Sequence, residues 1–89
     1  MLRYHVAFYL PRVGERMVVA VALDFPGAVT QGFDLADVGL MISSAMEDLG
    51  QLLLEEGKPL PRPNSGASAP DADLIELLPL STEVGTTRP

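Results

Sequence analysis

The chain has 89 residues, enough for one small domain, and it contains no cysteine and a single histidine. Disulfides and cysteine-based zinc sites are therefore excluded, and a metal site built on several histidines is not expected. Six basic residues against twelve acidic ones give a net charge of −6, which disfavours a free-standing nucleic-acid binder and favours a basic protein partner. The sequence shows no signal-peptide pattern and no bilayer-spanning apolar run, so we expect a cytoplasmic protein without a membrane partner.

The first part of the chain predicts a β-hairpin. Residues 4–10 and 17–24 alternate in side-chain character, and the loop at 11–16 that joins them is short enough for antiparallel pairing. The bulky face of the second strand consists of Met17, Val19, Val21 and Leu23. We expect this bulky face to align with that of the first strand and to be covered by a helix, while the opposite face carries small residues.

A turn and a third strand follow the hairpin. Phe25-Pro26-Gly27-Ala28 predicts a type II turn, because proline presets φ at the second position and glycine accepts a positive φ at the third. Residues 28–31 predict a short strand that ends at Gly32.

One long amphipathic helix is predicted over residues 35–56. Asp34 suits the N-cap, Gly57 suits the position after the C-terminus, and Pro59 prevents continuation. The apolar arc, expected to cover the bulky face of the hairpin, comprises Leu35, Val38, Met41, Ile42, Ala45, Met46, Leu49, Leu52 and Leu53. Residues 34–57 contain six acidic residues and no basic one, so this segment supplies the whole excess of negative charge.

The remainder of the chain predicts an extended connection and one more strand. Residues 59–70 are rich in proline and small polar residues, and residues 74–78 predict a fourth strand that Pro79 places at an edge or an end. Residues 81–89 predict a disordered tail. The fold class is therefore α+β in the order β-β-β-α-β, with one long helix packed on a small, mainly antiparallel sheet, forming a single domain over residues 1–80.

The titratable side chains do not form a recognisable catalytic pattern. The first strand carries no acid, and Asp24 with Glu47 is a pair without further ligands for a two-metal nuclease. His5 has no nucleophile or paired acid near it in sequence and is interpreted as a half-buried strand residue. We expect no enzyme activity, no metal and no cofactor, and we expect Asp24 and Gln31 to hold the turn backbone rather than to meet a partner.

The ordered motifs of residues 4–63 resemble those of the HicB-like antitoxin family. The run Asp24-Phe25-Pro26-Gly27-Ala28-Val29-Thr30-Gln31-Gly32 is similar to the family's aspartate, apolar residue, Pro-Gly and helix-entering Gln-Gly. After the helix, Glu56-Gly57-Lys58-Pro59-Leu60-Pro61 is similar to its acidic-Gly-x-Pro-x-Pro run. The family turn motif therefore falls on Asp24, Pro26, Gly27, Gln31 and Gly32.

The resemblance implies a partly degraded RNase H-like fold that forms a homodimer or a larger homo-oligomer. It also implies that the protein binds and masks a small basic mRNA interferase toxin, HicA, with no chemistry of its own. The chain departs from many members in having only nine residues after Leu80, too few for their C-terminal DNA-binding domain, so direct specific DNA binding is not expected. It also has Gly32-Phe33-Asp34 where members often have Gly-Asp/Asn-Thr, although Asp34 keeps the capping role.

Two pairs of helix residues are candidate contact sites. Asp48 and Glu55 share a stripe with Asp37 and are candidates for contact with the toxin. Leu40 and Leu54 lie among small residues away from the main apolar arc and are candidates for contact between copies of the chain. The alternative to an antitoxin is an orphan oligomeric scaffold or small-ligand binding module without a toxin partner.

Overall fold

The computed structural model describes residues 2–64 and 66–80, and the tail predicted at 81–89 lies outside the described residues. The elements follow in the order β1 (Arg3–Tyr9), β2 (Val18–Ala22), β3 (Val29–Gly32), α1 (Leu35–Glu55) and β4 (Leu74–Pro79). The strands form one sheet in the order β3-β2-β1-β4, and each neighbouring pair is antiparallel. The predicted α+β order is confirmed, with element ends displaced by one or two residues.

Helix α1 covers the face of the hairpin on which β2 carries small residues, so the predicted choice of face on β2 was wrong. The register pairs Val6 with Ala22 and Phe8 with Ala20, which places large side chains of β1 and small side chains of β2 on the same side. The two alanines let the helix approach β2 closely, while β1 supplies the bulk of the core. The buried cluster comprises Tyr4, Val6, Phe8, Val18, Ala20, Ala22, Phe25, Ala28, Val38, Ile42, Met46 and Leu80.

The other side of the sheet, called here the open face, carries the larger residues of β2. Cross-strand pairs place Val19 and Val21 there, beside Ala7 of β1. The same registers add Val29, Ile75 and Leu77 to this face, and all three are exposed. No described element packs over the open face.

The ends of α1 follow the predicted capping chemistry. The Asp34 carboxylate accepts the Asp37 N–H at 2.8 Å, and the Asp37 carboxylate accepts the Phe33 N–H at 2.9 Å. A Cβ at Gly32 would lie 2.8 Å from a carboxylate oxygen of Asp37, so the end of β3 approaches the helix this closely because glycine is present. Gly57 follows the helix with a φ of +74°, as predicted.

Candidate interaction site

The predicted turn motif forms the tight connection between β2 and β3. Gly27 has a φ of +90°, and the Ala28 N–H donates to the Phe25 carbonyl at 3.3 Å, in agreement with a type II turn centred on Pro26 and Gly27. Gln31 is exposed on the edge strand β3. The motif thus fixes the chain direction before α1, and it brings Gln31 to the surface rather than to the turn.

Asp24 is the one charged side chain that is buried among the described residues. One carboxylate oxygen accepts the His5 backbone N–H at 3.1 Å, and the other lies 2.9 Å from His5 Nδ1 and accepts the Asn64 N–H at 3.0 Å. These partners lie outside the turn, so the interpretation of Asp24 as a turn-holding residue was wrong. The carboxylate instead joins β1, the end of β2 and the proline-rich segment.

A second polar contact holds the proline-rich segment against the sheet. The Tyr4 hydroxyl donates to the Pro61 carbonyl at 2.7 Å, and the Tyr4 ring meets Phe25 edge to face with centroids 5.0 Å apart. Burial of the Tyr4 hydroxyl raises its pKa above the ordinary value, and the negative charge of nearby Asp24 raises it further. The neutral phenol is therefore the form that the fold favours.

These contacts enclose a cavity of about 330 Å³ at the C-terminal end of α1, called here the apolar socket. Its lining comprises Phe25, Pro26, Leu49, Leu52, Leu53, Pro59, Leu60 and Pro61. A Cβ at Gly50 would lie 3.4 Å from Leu60 Cδ2, so the lack of a side chain there lets the proline-rich segment pack close to the helix. Leu52, at the mouth, is 50% exposed.

The two predicted toxin-contact carboxylates lie on the solvent-facing surface of α1. Asp48 and Glu55 are both exposed, and neither forms a salt bridge with any described residue. Glu55 accepts a hydrogen bond from the Gln51 side chain at 3.2 Å. Asp48 borders a shallow groove between α1 and β3 that also includes Thr30 and Met41. The last turn of the helix contains no basic residue, so its negative dipole end is not compensated within α1.

The predicted oligomer-contact residues also lie on the outer surface of the helix. Leu40 is 74% exposed, and Leu54 is 44% exposed. Leu40 stands at the mouth of a cavity of about 250 Å³ between the first half of α1 and β4. The other residues that line this cavity are Phe8, Leu35, Ala36, Gly39, Leu74, Glu76 and Leu78.

Neither a metal centre nor a membrane span is found in residues 2–64 and 66–80. No three side chains of the types that hold metal ions converge in this part of the chain. No helix there combines the length and the apolar character that a bilayer crossing requires.

Comparisons with models of known protein families, with curated proteins and with solved structures found no match to this chain.

Two features of this site were missed by sequence reasoning. The contact between His5 and Asp24 joins residues 19 positions apart, and Asn64 is 40 positions from the same carboxylate. The first contact could have been predicted from the hairpin, because its antiparallel register brings the end of β2 beside the start of β1. The apolar socket had no comparable signal, since it forms only when the chain after α1 folds back.

Proposed function

We propose that this chain is a HicB-like antitoxin, or an interaction domain derived from one, that binds and masks a small basic mRNA interferase of HicA type in the cytoplasm. The proposal rests on the resemblance of residues 24–32 and 56–61 to the family motifs and on the surface of α1. It assigns the protein no catalytic step, because masking needs only a complementary surface that covers the toxin's active face.

The observation that carries the proposal is the uncompensated acidity of the helix. Six acidic and no basic residues lie between positions 34 and 57, and the exposed carboxylates of Asp48 and Glu55 have no cationic partner among the described residues. Glu55 adds negative charge near the negative end of the helix dipole, which is unfavourable by a few tenths to about 1 kcal/mol. A basic partner would offset this cost and would be steered towards the helix over the last several ångströms of approach.

We also propose that the antitoxin acts as a homodimer or a larger oligomer. Leu40 presents most of its side chain to solvent beside an apolar cavity, and β4 is an edge strand with exposed aliphatic residues. Full burial of a leucine contributes about 1.5–3 kcal/mol, which favours a second copy at this surface. Self-association would also serve the alternative function, an oligomeric scaffold without a toxin.

Co-expression with the product of an adjacent small basic gene tests the proposal. We expect the full chain to bind that protein and to restore growth that the toxin inhibits. Reversing the candidate contacts, with Asp48→Lys and Glu55→Lys together, should slow association and flatten its dependence on salt. The matched control is Glu15→Lys with Asp71→Lys, which changes the net charge equally at another exposed surface.

The co-expression experiment distinguishes the antitoxin from the oligomeric scaffold. If the neighbouring basic protein is neither bound nor neutralised, the antitoxin function is contradicted and the scaffold remains. If it is bound but the helix pair and the control pair have equal association rates and salt slopes, the acidic helix is not the capture surface.

A further inference from the structure

The apolar socket is a preformed cavity rather than a gap between loose segments. Three of its eight lining residues are prolines, whose φ angles are fixed. Its outer wall is tied down by the hydrogen bonds from Tyr4 to Pro61 and from Asn64 to Asp24. Its inner wall is the last turns of α1, which Gly50 allows to lie against Leu60. A ligand entering it would therefore lose little free energy to ordering the site.

The chemistry of the lining selects an apolar side chain over a polar small molecule. All eight lining side chains are apolar, so the socket lacks the few convergent polar groups that orient small ligands in most binding pockets. Its volume, about 330 Å³, lies at the small end of the range for such pockets and suits one aromatic or large aliphatic side chain.

Two carboxylates lie beside Leu52 on the helix surface next to the socket. Asp48 lies four residues before Leu52 and Glu55 lies three residues after it, so both share its helix face, with Cβ atoms about 5–6 Å from it. Glu56, four residues after Leu52, is paired with Lys58 at 3.2 Å, whereas Asp48 and Glu55 form no salt bridge with any described residue. The helix surface beside Leu52 is thus negatively charged, while the lining of the socket is apolar.

We infer that the apolar socket receives an aromatic side chain of the basic partner, flanked in the partner's sequence by lysine or arginine residues that pair with Asp48 and Glu55. This inference rests on the proposed function and gives it an anchor point. The aromatic side chain buries apolar surface in the socket. The partner's cations offset the negative charge at the C-terminal end of α1, which has no basic residue of its own. An arrangement of a central apolar anchor within a charged rim is typical of the residues that dominate binding energy at interfaces.

The test is an NMR titration of the isotope-labelled full chain with three capped tripeptides: Lys-Trp-Lys, Glu-Trp-Glu and Lys-Ala-Lys. Lys-Trp-Lys should shift the amide signals of Leu52, Leu53 and Leu60 and should bind about tenfold more tightly than Glu-Trp-Glu, because two exposed ion pairs replace two repulsions. Lys-Ala-Lys should leave the socket signals unchanged. Equal affinity for the two tryptophan peptides, or shifts confined to other surfaces, would overturn the inference.

A pair of matched leucine variants separates the socket from general surface apolarity. Leu52→Ser should weaken Lys-Trp-Lys binding about fivefold, since it removes one exposed wall of the socket. Leu77→Ser is the control, because Leu77 is equally exposed, at 53%, but lies on the open face of the sheet. Equal effects of the two substitutions would contradict a role for the socket.

The same variants distinguish this inference from the proposed function. A chain that neutralises its basic partner equally well with and without Leu52→Ser keeps the antitoxin function and loses the socket as its anchor. A chain that binds Lys-Trp-Lys in the socket but neutralises no neighbouring basic protein keeps the socket as a peptide site and loses the antitoxin function.

Discussion

Replacing Asp24 tests whether one buried carboxylate holds three separate segments together. The carboxylate accepts hydrogen bonds from two backbone N–H groups, those of His5 and Asn64, and contacts the His5 ring. In Asp24→Asn the amide offers a single oxygen acceptor, so either orientation leaves one of the two N–H groups facing an N–H donor. In Asp24→Ala both N–H groups lose their acceptor.

The expected losses follow from the cost of an unpaired buried group. At about 1–3 kcal/mol for each N–H, Asp24→Asn should lower the free energy of unfolding by about 2 kcal/mol and Asp24→Ala by about 4 kcal/mol. A domain of this length has a total of roughly 4–13 kcal/mol, so the alanine variant approaches the limit of folding.

Urea unfolding followed by circular dichroism measures both changes. Asp48→Asn is the control, since it removes an exposed carboxylate that forms no described salt bridge, and it should shift the unfolding free energy by less than about 0.5 kcal/mol. The reasoning is refuted if Asp24→Asn is as stable as Asp48→Asn, or if the alanine variant is no less stable than the asparagine variant.

Three further predictions address the helix entry, the tyrosines and assembly. Gly32→Ala should lower the free energy of unfolding in urea by about 1–3 kcal/mol, because the added Cβ would lie 3.0 Å or less from the first turn of α1 and the backbone there must shift. A variant as stable as the parent would contradict the close contact. Burial raises the pKa of Tyr4 and of Tyr9. In a pH titration, the absorbance of tyrosinate should therefore increase only at a pH higher than that at which free tyrosine ionises. The stability that this shift contributes is fully present below the pKa of tyrosine in the unfolded chain, and it is lost as the pH rises through the pKa in the folded protein. A titration midpoint at the ordinary tyrosine pKa would refute the shift. Leu40→Glu with Leu54→Glu should reduce the mass measured by light scattering and leave the circular dichroism spectrum unchanged. If the parent chain is already a 9.5 kDa monomer at high concentration, assembly is excluded. If the two substitutions leave the mass of an oligomer unchanged, the contact between copies lies on the sheet instead.

Features fixed by neighbouring residues were predictable from the sequence. The turn at Pro26 and Gly27 and the helix caps at Asp34 and Gly57 each depend on conformational preferences or hydrogen bonds within a few positions, and the structure contains all of them. The order of elements was predictable for the same reason, because each element has its own hydrophobic period.

The face of β2 that packs on α1 was not predictable from its own alternation. Both faces of β2 are apolar, and the choice between Val19 and Ala20 depends on the register with β1, where Phe8 pairs with Ala20. A strand with two apolar faces does not itself indicate which face is buried. The choice depends on how closely the helix can approach each face. The socket was hidden for a related reason, since Leu60 reaches Gly50 only after the chain reverses at the end of α1.

The order of strands has a consequence for synthesis on the ribosome. The interior strand β1 is made long before its partner β4, because the register between them pairs Phe8 with Leu74, which lies 66 positions later in the chain. At about 5–20 residues per second, that partner emerges roughly 3–13 s after β1, whereas a hairpin forms in microseconds. For those seconds the β1–β2 hairpin presents an open edge rich in Val, Tyr and Phe, so the nascent chain, rather than the finished protein, is the form most exposed to misassociation and to chaperones.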